Sequence, residues 1–162
     1  MPASVDFDAT REHIARIEET PARLRTVVAG LGPEQLDTQY RPGGWTLRQV
    51  VHHLADSHLN SYVRFRLALT ESEPTIKPYD EKLWAELGDA RRAPVEISLT
   101  LIESLHQRWV LLLRSLATAE LVRAYRHPEL GVVRLEQNLA LYAWHGAHHV
   151  AQIRSLRERM NW

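Results

Sequence analysis

The chain has 162 residues, 44% of them apolar, which is enough for one ordinary core and too little for two comfortable domains. Twenty basic residues balance twenty acidic ones, so no overall field invites nucleic acid or another polyanion, although 18 of the basic residues are arginine. With no cysteine, disulfides, protein thiolate chemistry, iron–sulfur clusters and Cys-rich structural zinc are excluded, and any metal must be held by His, Asp, Glu, water or a neutral oxygen.

The N-terminal stretch MPASVDFDATREHIARIEE lacks a basic segment followed by an apolar one, and no run approaches the ~18 apolar residues of a spanning helix. The expectation is a soluble, cytoplasmic protein without membrane contact, folded as a single domain over residues 1–162. Asp8 to Ala29 carries Ile14, Ile17, Leu24, Val27 and Val28 at helical spacing, interrupted by Pro21 and stopped by Gly30 and Gly32. This predicts a first helix, kinked near Pro21.

After a connection whose QYRPGGW portion is rich in turn residues, Thr46 and Gln49 read as a capping box. They open a second helix, LRQVVHHLADSHLNSYVRFRLAL. The segment ESEPTIKPYDEKLWAELGDARRAP follows, punctuated by Pro74, Pro78, Gly88 and Pro94, with one short helical piece around Glu81 to Leu87. Connections of this length usually form a lid, an interface or a site wall.

Leu99, Ile102, Leu105, Trp109, Leu112, Leu113 and Leu116 define a third helix from about Pro94 to Leu116. HPELGVV has room for a short extended piece, and a fourth helix spans roughly Leu135 to Arg159. No strand pattern lasts long enough to build a sheet. The expected fold is all-α, an antiparallel four-helix bundle with at least one long crossover.

Histidines interrupt two of these helices, as HHLADSH at residues 52–58 and WHGAHHV at residues 144–150. On the last helix, at ~100° per residue, His145 and His149 share one flank of the inward stripe while His148 points further away. An i,i+4 pair of this kind lets both rings reach one ion, and neutral imidazoles leave a divalent cation its Lewis acidity. The same spacing also arises from a core-edge pair bonded to carbonyls, or from surface residues.

A third ligand from the second helix would complete a three-histidine face with open positions for reactants. Periodicity nominates His58, near the middle of that helix's inward stripe; His53 lies ~120° to one side, and His52 and Asp56 face largely outward. The competing reading of His58 is a buried core histidine bonded to its neighbours.

Four segments, GGWTLRQVVHHLADSHLNSYVRFRLALTE, PTIKPYDEKLWAEL, HPELG and YAWHGAHHVAQIRSLRERMNW, resemble the YfiT-like branch of the DinB superfamily, a group assigned metal-dependent hydrolase activity. The resemblance covers most of the chain from about Leu36 to Trp162. It implies a four-helix bundle with one divalent ion per chain, Zn2+ or Ni2+, bound by three histidines. Carried over, these are His53, the second histidine of VVHH, with His145 and His149. It also implies a homodimer and a small-molecule substrate.

His58, Asn60 and Arg64 then become pocket candidates, with no catalytic residue assigned. The motif HGAHH holds no acid of the HExxH kind, so a general base would come from elsewhere, with Glu71, Asp80 and Glu81 as candidates. The superfamily also includes thiol transferases that join a low-molecular-weight thiol to an electrophile, and a cysteine-free chain is compatible with that. A metal-stabilised bundle with no catalytic role is the remaining alternative. Trp84, Trp109, Trp144 and Trp162 are candidates for core or dimer contacts, and Trp45 for stapling the entry to the second helix.

Overall fold

Each long helix begins where the sequence supplies partners for its free amides. In the computed structural model, which describes residues 5–162, α1 (Phe7–Val28) opens under Asp6, whose carboxylate accepts the Asp8 and Ala9 N–H groups at 3.0 Å. Residues 1–4 of the N-terminal stretch lie outside the described residues. After a single helical turn, α2 (Pro33–Leu36), the predicted capping box opens α3 (Leu47–Thr70). Gln49 N–H donates to Thr46 Oγ1 at 3.2 Å and Thr46 N–H donates to Gln49 Oε1 at 2.9 Å.

The long connection holds two short helices where one was expected, α4 (Glu81–Ala85) and α5 (Gly88–Arg92). It delivers the chain to α6 (Val95–Ser115), with Pro94 at the N-cap. A further turn, α7 (Thr118–Leu121), precedes the strands β1 (Ala124–His127) and β2 (Gly131–Arg134), and α8 (Leu135–Met160) ends at Asn161 in the left-handed conformation.

The strands correct the expectation that no sheet would form. They pair antiparallel from Ala124 with Arg134 to His127 with Gly131, and Gly131 adopts the positive φ that the short loop requires. Four residues a side are too few for period-2 patterning to stand out. The crossover adds a third, bridging piece: Ile76 N–H donates to Arg126 O at 3.0 Å and Arg126 N–H donates to Pro74 O at 2.8 Å.

Around the bundle, α1 packs on α8 and α6, and α3 packs on α6 and α8. Two apolar clusters fill the interior. One contains Ile14 and Ile17 of α1, Tyr62 and Phe65 of α3, Trp109 of α6 and Leu139 of α8; the other contains Leu24, Val51, Ile102 and Ile153 from the same four helices. The order in which each helix meets the clusters gives its direction. α1 and α8 run one way and α3 and α6 the other, so α3 and α6 are parallel neighbours. A chain leaving α3 must therefore travel back along the bundle before starting α6, which is the physical reason for the long crossover.

α1 and α8 approach closely at Gly146, where an added Cβ would lie 2.8 Å from both Thr20 Cγ2 and Thr20 Oγ1. That position faces a neighbouring helix. Gly146→Ala is expected to destabilise by about 1 kcal/mol net, because overpacking of about 1–3 kcal/mol outweighs the about 1 kcal/mol of helix propensity gained. In a Thr20→Ala background the same change is expected to be neutral or stabilising. Thermal unfolding of the double-mutant cycle checks this, and an unaltered melting temperature for the single Gly146→Ala variant would contradict the contact.

Candidate metal centre

Between the two apolar clusters lies a polar layer made almost entirely of imidazole. α3 contributes His53 and His58, α6 contributes His106, and α8 contributes His145 and His149; His58 and His106 are essentially sealed from solvent. Within this layer the ligand nitrogens of His53, His145 and His149 all lie within 4.8 Å of one another. His145 Nε2 stands 3.2 Å from His53 Nε2 and 3.2 Å from His149 Nε2.

This arrangement fits a divalent cation. Two nitrogens 3.2 Å apart, each at the ~2.05 Å typical of a zinc–imidazole bond, subtend about 100° at the ion, close to a tetrahedral or facial arrangement. Protons compete poorly for the same nitrogens. Burial, with the charge of His149, brings His53 down to about 3; burial, with His149 and His53, brings His145 to about 2; burial brings His149 to about 4. With no proton on these nitrogens, three lone pairs facing one point would repel one another unless a cation lay between them.

Neighbouring side chains hold the rings. His149 Nδ1–H donates to Gln152 Oε1 at 2.8 Å, leaving Nε2 bare, and Gln152 Nε2–H donates in turn to His148 Nε2 at 2.9 Å. Trp45 packs on His53 with ring centroids 4.7 Å apart, a role beyond the helix-entry staple expected for it. His148 stacks on the exposed Trp144 and does not join the three-nitrogen cluster.

Above the histidines lies a cleft of about 1210 Å³, walled by Trp45, Glu81, Glu86, Trp144, His148 and Gln152 among others. The wall that Glu81 and Glu86 provide comes from the crossover. Of the three acids considered as a base, only Glu81 lines this cleft. Asp80 instead caps α4 through the Lys82 and Leu83 amides, and Glu71 ends α3, its carbonyl held by Arg123. Gly146 could never have carried that base, since it faces α1.

Several candidates occupy other places. His58, favoured by periodicity, is indeed central but turns its Nε2 toward His145 Nδ1 at 3.2 Å, behind the cluster. Asn60 bonds back to the Asp56 carbonyl at 2.9 Å, and Arg64 lies against Tyr125 and His127 beneath the hairpin; neither lines the cleft. His52 and Asp56 do not face outward. His52 Nε2–H donates to Ala93 O at 3.1 Å while its Nδ1 accepts from Ser98 Oγ at 2.7 Å, and burial together with Asp89 raises the Asp56 carboxyl to about 6. The end of the crossover and the start of α6 cover the side of α3 that a lone helix would show to water. Two residues of the site carry no motif of their own: His106, four residues from Ile102 and three from Trp109 on the inward stripe of α6, and Gln152, one turn beyond His149.

A bundle of this connectivity with a three-imidazole cluster defines the class, and the DinB superfamily model matches residues 16–153. The chain belongs to the DinB superfamily. Its backbone is similar to that of YfiT from Bacillus subtilis, described as a probable metal-dependent hydrolase with an unusual four-helix bundle topology: the TM-score is 0.96 at 48% identity, over 100% of this chain and 93% of that one. A protein of Oceanobacillus iheyensis, provisionally named a metal-dependent hydrolase, is 56% identical over 93% of this chain and 87% of its own length. One from Bacillus mycoides with the same provisional designation is 56% identical over 92% and 86%. TT2238, a four-helix bundle protein, shares the fold at 19% identity with a TM-score of 0.62.

The depressed imidazoles make the metal-free protein acid-sensitive. Between the usual histidine value of 6.5 and the folded values of about 4 or below, the unfolded chain binds more protons than the native one, so stability falls as pH falls through that window. The loss is roughly 2 kcal/mol per buried histidine at pH 5, and several together rival a typical total of about 5–15 kcal/mol. Urea midpoints of EDTA-treated protein are expected to drop steeply from pH 7.5 to 5 and to change little from 7.5 to 8.5; a flat profile across the acid range would contradict the burial of neutral rings.

Proposed function

We propose that the chain is a metal-dependent hydrolase of a small molecule, with one divalent cation held by His53, His145 and His149. The carrying observation is the meeting of three imidazole nitrogens, from two helices and within 4.8 Å of one another, at the floor of an open cleft. Held there, the ion would act as a Lewis acid and lower the pKa of a water, the chemistry that hydrolysis needs.

The protein's part is placement and proton handling. Gln152 and Trp45 keep the His149 and His53 rings in position, and the aromatic faces of Trp45 and Trp144 give an organic substrate apolar surface beside the polar floor. Glu81 and Glu86 are the carboxylates of the crossover wall, and Asp37, also in the lining, is tied to Arg48 at 2.7 Å. Glu86 is already engaged with Arg91 at 3.0 Å and Gln49 at 3.3 Å, which leaves Glu81 the better placed to take a proton. Imidazole donors suit zinc and nickel alike, and both fall within the proposal, as does a homodimeric state. Among the described residues no helix is long and apolar enough to cross a membrane.

A second reading, transfer of a low-molecular-weight thiol to an electrophile, is favoured by the size of the cleft. At about 1210 Å³ it exceeds the ~300–1,000 Å³ of most single-ligand pockets and has room for two reactants. The absence of cysteine leaves the sulfur to the second substrate.

Protein purified without a nickel column is expected to carry about one ion per chain by elemental analysis, in line with a single three-ligand site. His145→Ala and His53→Ala should each weaken zinc binding by more than about 100-fold, beyond the loss typical of an outer partner. Ester or amide turnover independent of added thiol supports hydrolysis; turnover of an electrophile only with added thiol selects transfer. Wild-type protein that takes up neither zinc nor nickel would end both readings.

A further inference from the structure

His145 is backed by a line of groups that runs through α3 and α6 to α1. Its Nδ1 lies 3.2 Å from His58 Nε2, His58 Nδ1 lies 2.8 Å from His106 Nε2, and His106 Nδ1 lies 2.6 Å from the carbonyl oxygen of Ile17. In an unbroken helix the Ile17 carbonyl would accept the N–H of residue 21. That residue is Pro21, which has none, inside α1. The proline thus frees an acceptor pointing into the core.

We infer that Pro21, the Ile17 carbonyl, His106 and His58 form a hydrogen-bonded chain that fixes the tautomer of His145 and presents its Nε2 lone pair to the metal. The inference rests on the metal-centre reading above.

Proton counting carries the argument. A carbonyl only accepts, so the proton of His106 is on Nδ1 and its Nε2 is an acceptor. The contact with His58 then needs the His58 proton on Nδ1, which makes His58 Nε2 an acceptor. The contact with His145 needs the His145 proton on Nδ1, which leaves Nε2 bare. Three neutral rings supply three protons to three contacts, with none left over to occupy the metal-facing nitrogen.

An extra proton would place an unpaired charge in a layer where His58 and His106 are 0% and 1% exposed, at a high desolvation cost. Edge contacts from Trp109 and Tyr142 onto His58, at ring-centroid separations of 6.1 and 5.1 Å, keep that ring from turning over. Because the line ends on an amide carbonyl, it has no exit for a proton. It orients a ligand and does not shuttle protons. His58 and His106 are positioning residues, two steps of one device begun by a proline on a third helix.

Two measurements test this, the first without any variant. Long-range imidazole 15N–1H spectra of the metal-free wild-type protein are expected to show His58, His106 and His145 all protonated at Nδ1; an Nε2–H form of His106 or His145 would overturn the chain. The second is zinc affinity by competition with a chromophoric chelator. His106→Leu is expected to bind zinc about 10–100-fold more weakly, whereas His106→Gln, whose amide oxygen can stand in for the Nε2 acceptor, stays close to wild type. Pro21→Ala restores the N–H that competes for the Ile17 carbonyl. It should raise the melting temperature of the metal-free protein while weakening zinc binding several-fold, a split that a purely structural proline would not produce. Equal zinc affinity in wild type and His106→Leu would overturn the positioning role while leaving the metal centre intact. Failure of the wild type itself to bind zinc or nickel would overturn the centre, and with it this role.

Discussion

Buried imidazole demands a partner for both ring nitrogens, and in this protein that demand organises everything near the centre of the bundle. An unmet polar group in a core costs about 1–3 kcal/mol, so five rings at one level can exist only as a connected set. Two of them face inward to Ile17 and to each other, and three turn their remaining nitrogens to a shared point under the cleft. The apolar interior divides around them into two clusters. Features that would look like faults in an ordinary helix, a proline in α1 and a glycine in α8, lie beside this layer. One releases a carbonyl and the other lets α1 and α8 close on each other.

The topology and the site are two consequences of one connection. Because α3 and α6 run in parallel, the chain between them must cross the length of the bundle, and on the way it does three unrelated jobs. It pairs with the hairpin at Ile76, it covers the outer side of α3 at His52, and it walls the cleft with Glu81 and Glu86. A simple up-and-down bundle with short loops would leave the histidine cluster without a wall on this side. Glu81 and Glu86 thereby bring carboxylates to a cleft whose histidine motif carries none.

Parts of this were legible in the chain itself. Thr46 and Gln49 marked a helix start that the backbone honours, because capping is a contest settled within four residues. The four long helices followed from apolar periodicity, and the pairing of His145 with His149 from one turn of helical spacing. The third ring was harder. An ideal wheel ranked His58 above His53, and both are buried, so exposure could not separate them. What separates them is the direction in which α8 presents His145, with Nε2 toward His53 and Nδ1 toward His58. No property of α3 alone encodes that.

The sequence by itself determined the helical architecture, the absence of a thiolate among the protein's own side chains and the stock of imidazoles, since these depend on residue type and on spacing within a turn or two. Tertiary structure alone decided which nitrogens meet, that His52 is covered and Asp56 half-buried, that His106 joins the layer, and that the crossover brings Glu81 and Glu86 to the cleft. Those outcomes are set by contacts between residues tens of positions apart, such as His106 with Ile17 and His53 with His145, and a helix carries no local record of which neighbour its faces will meet.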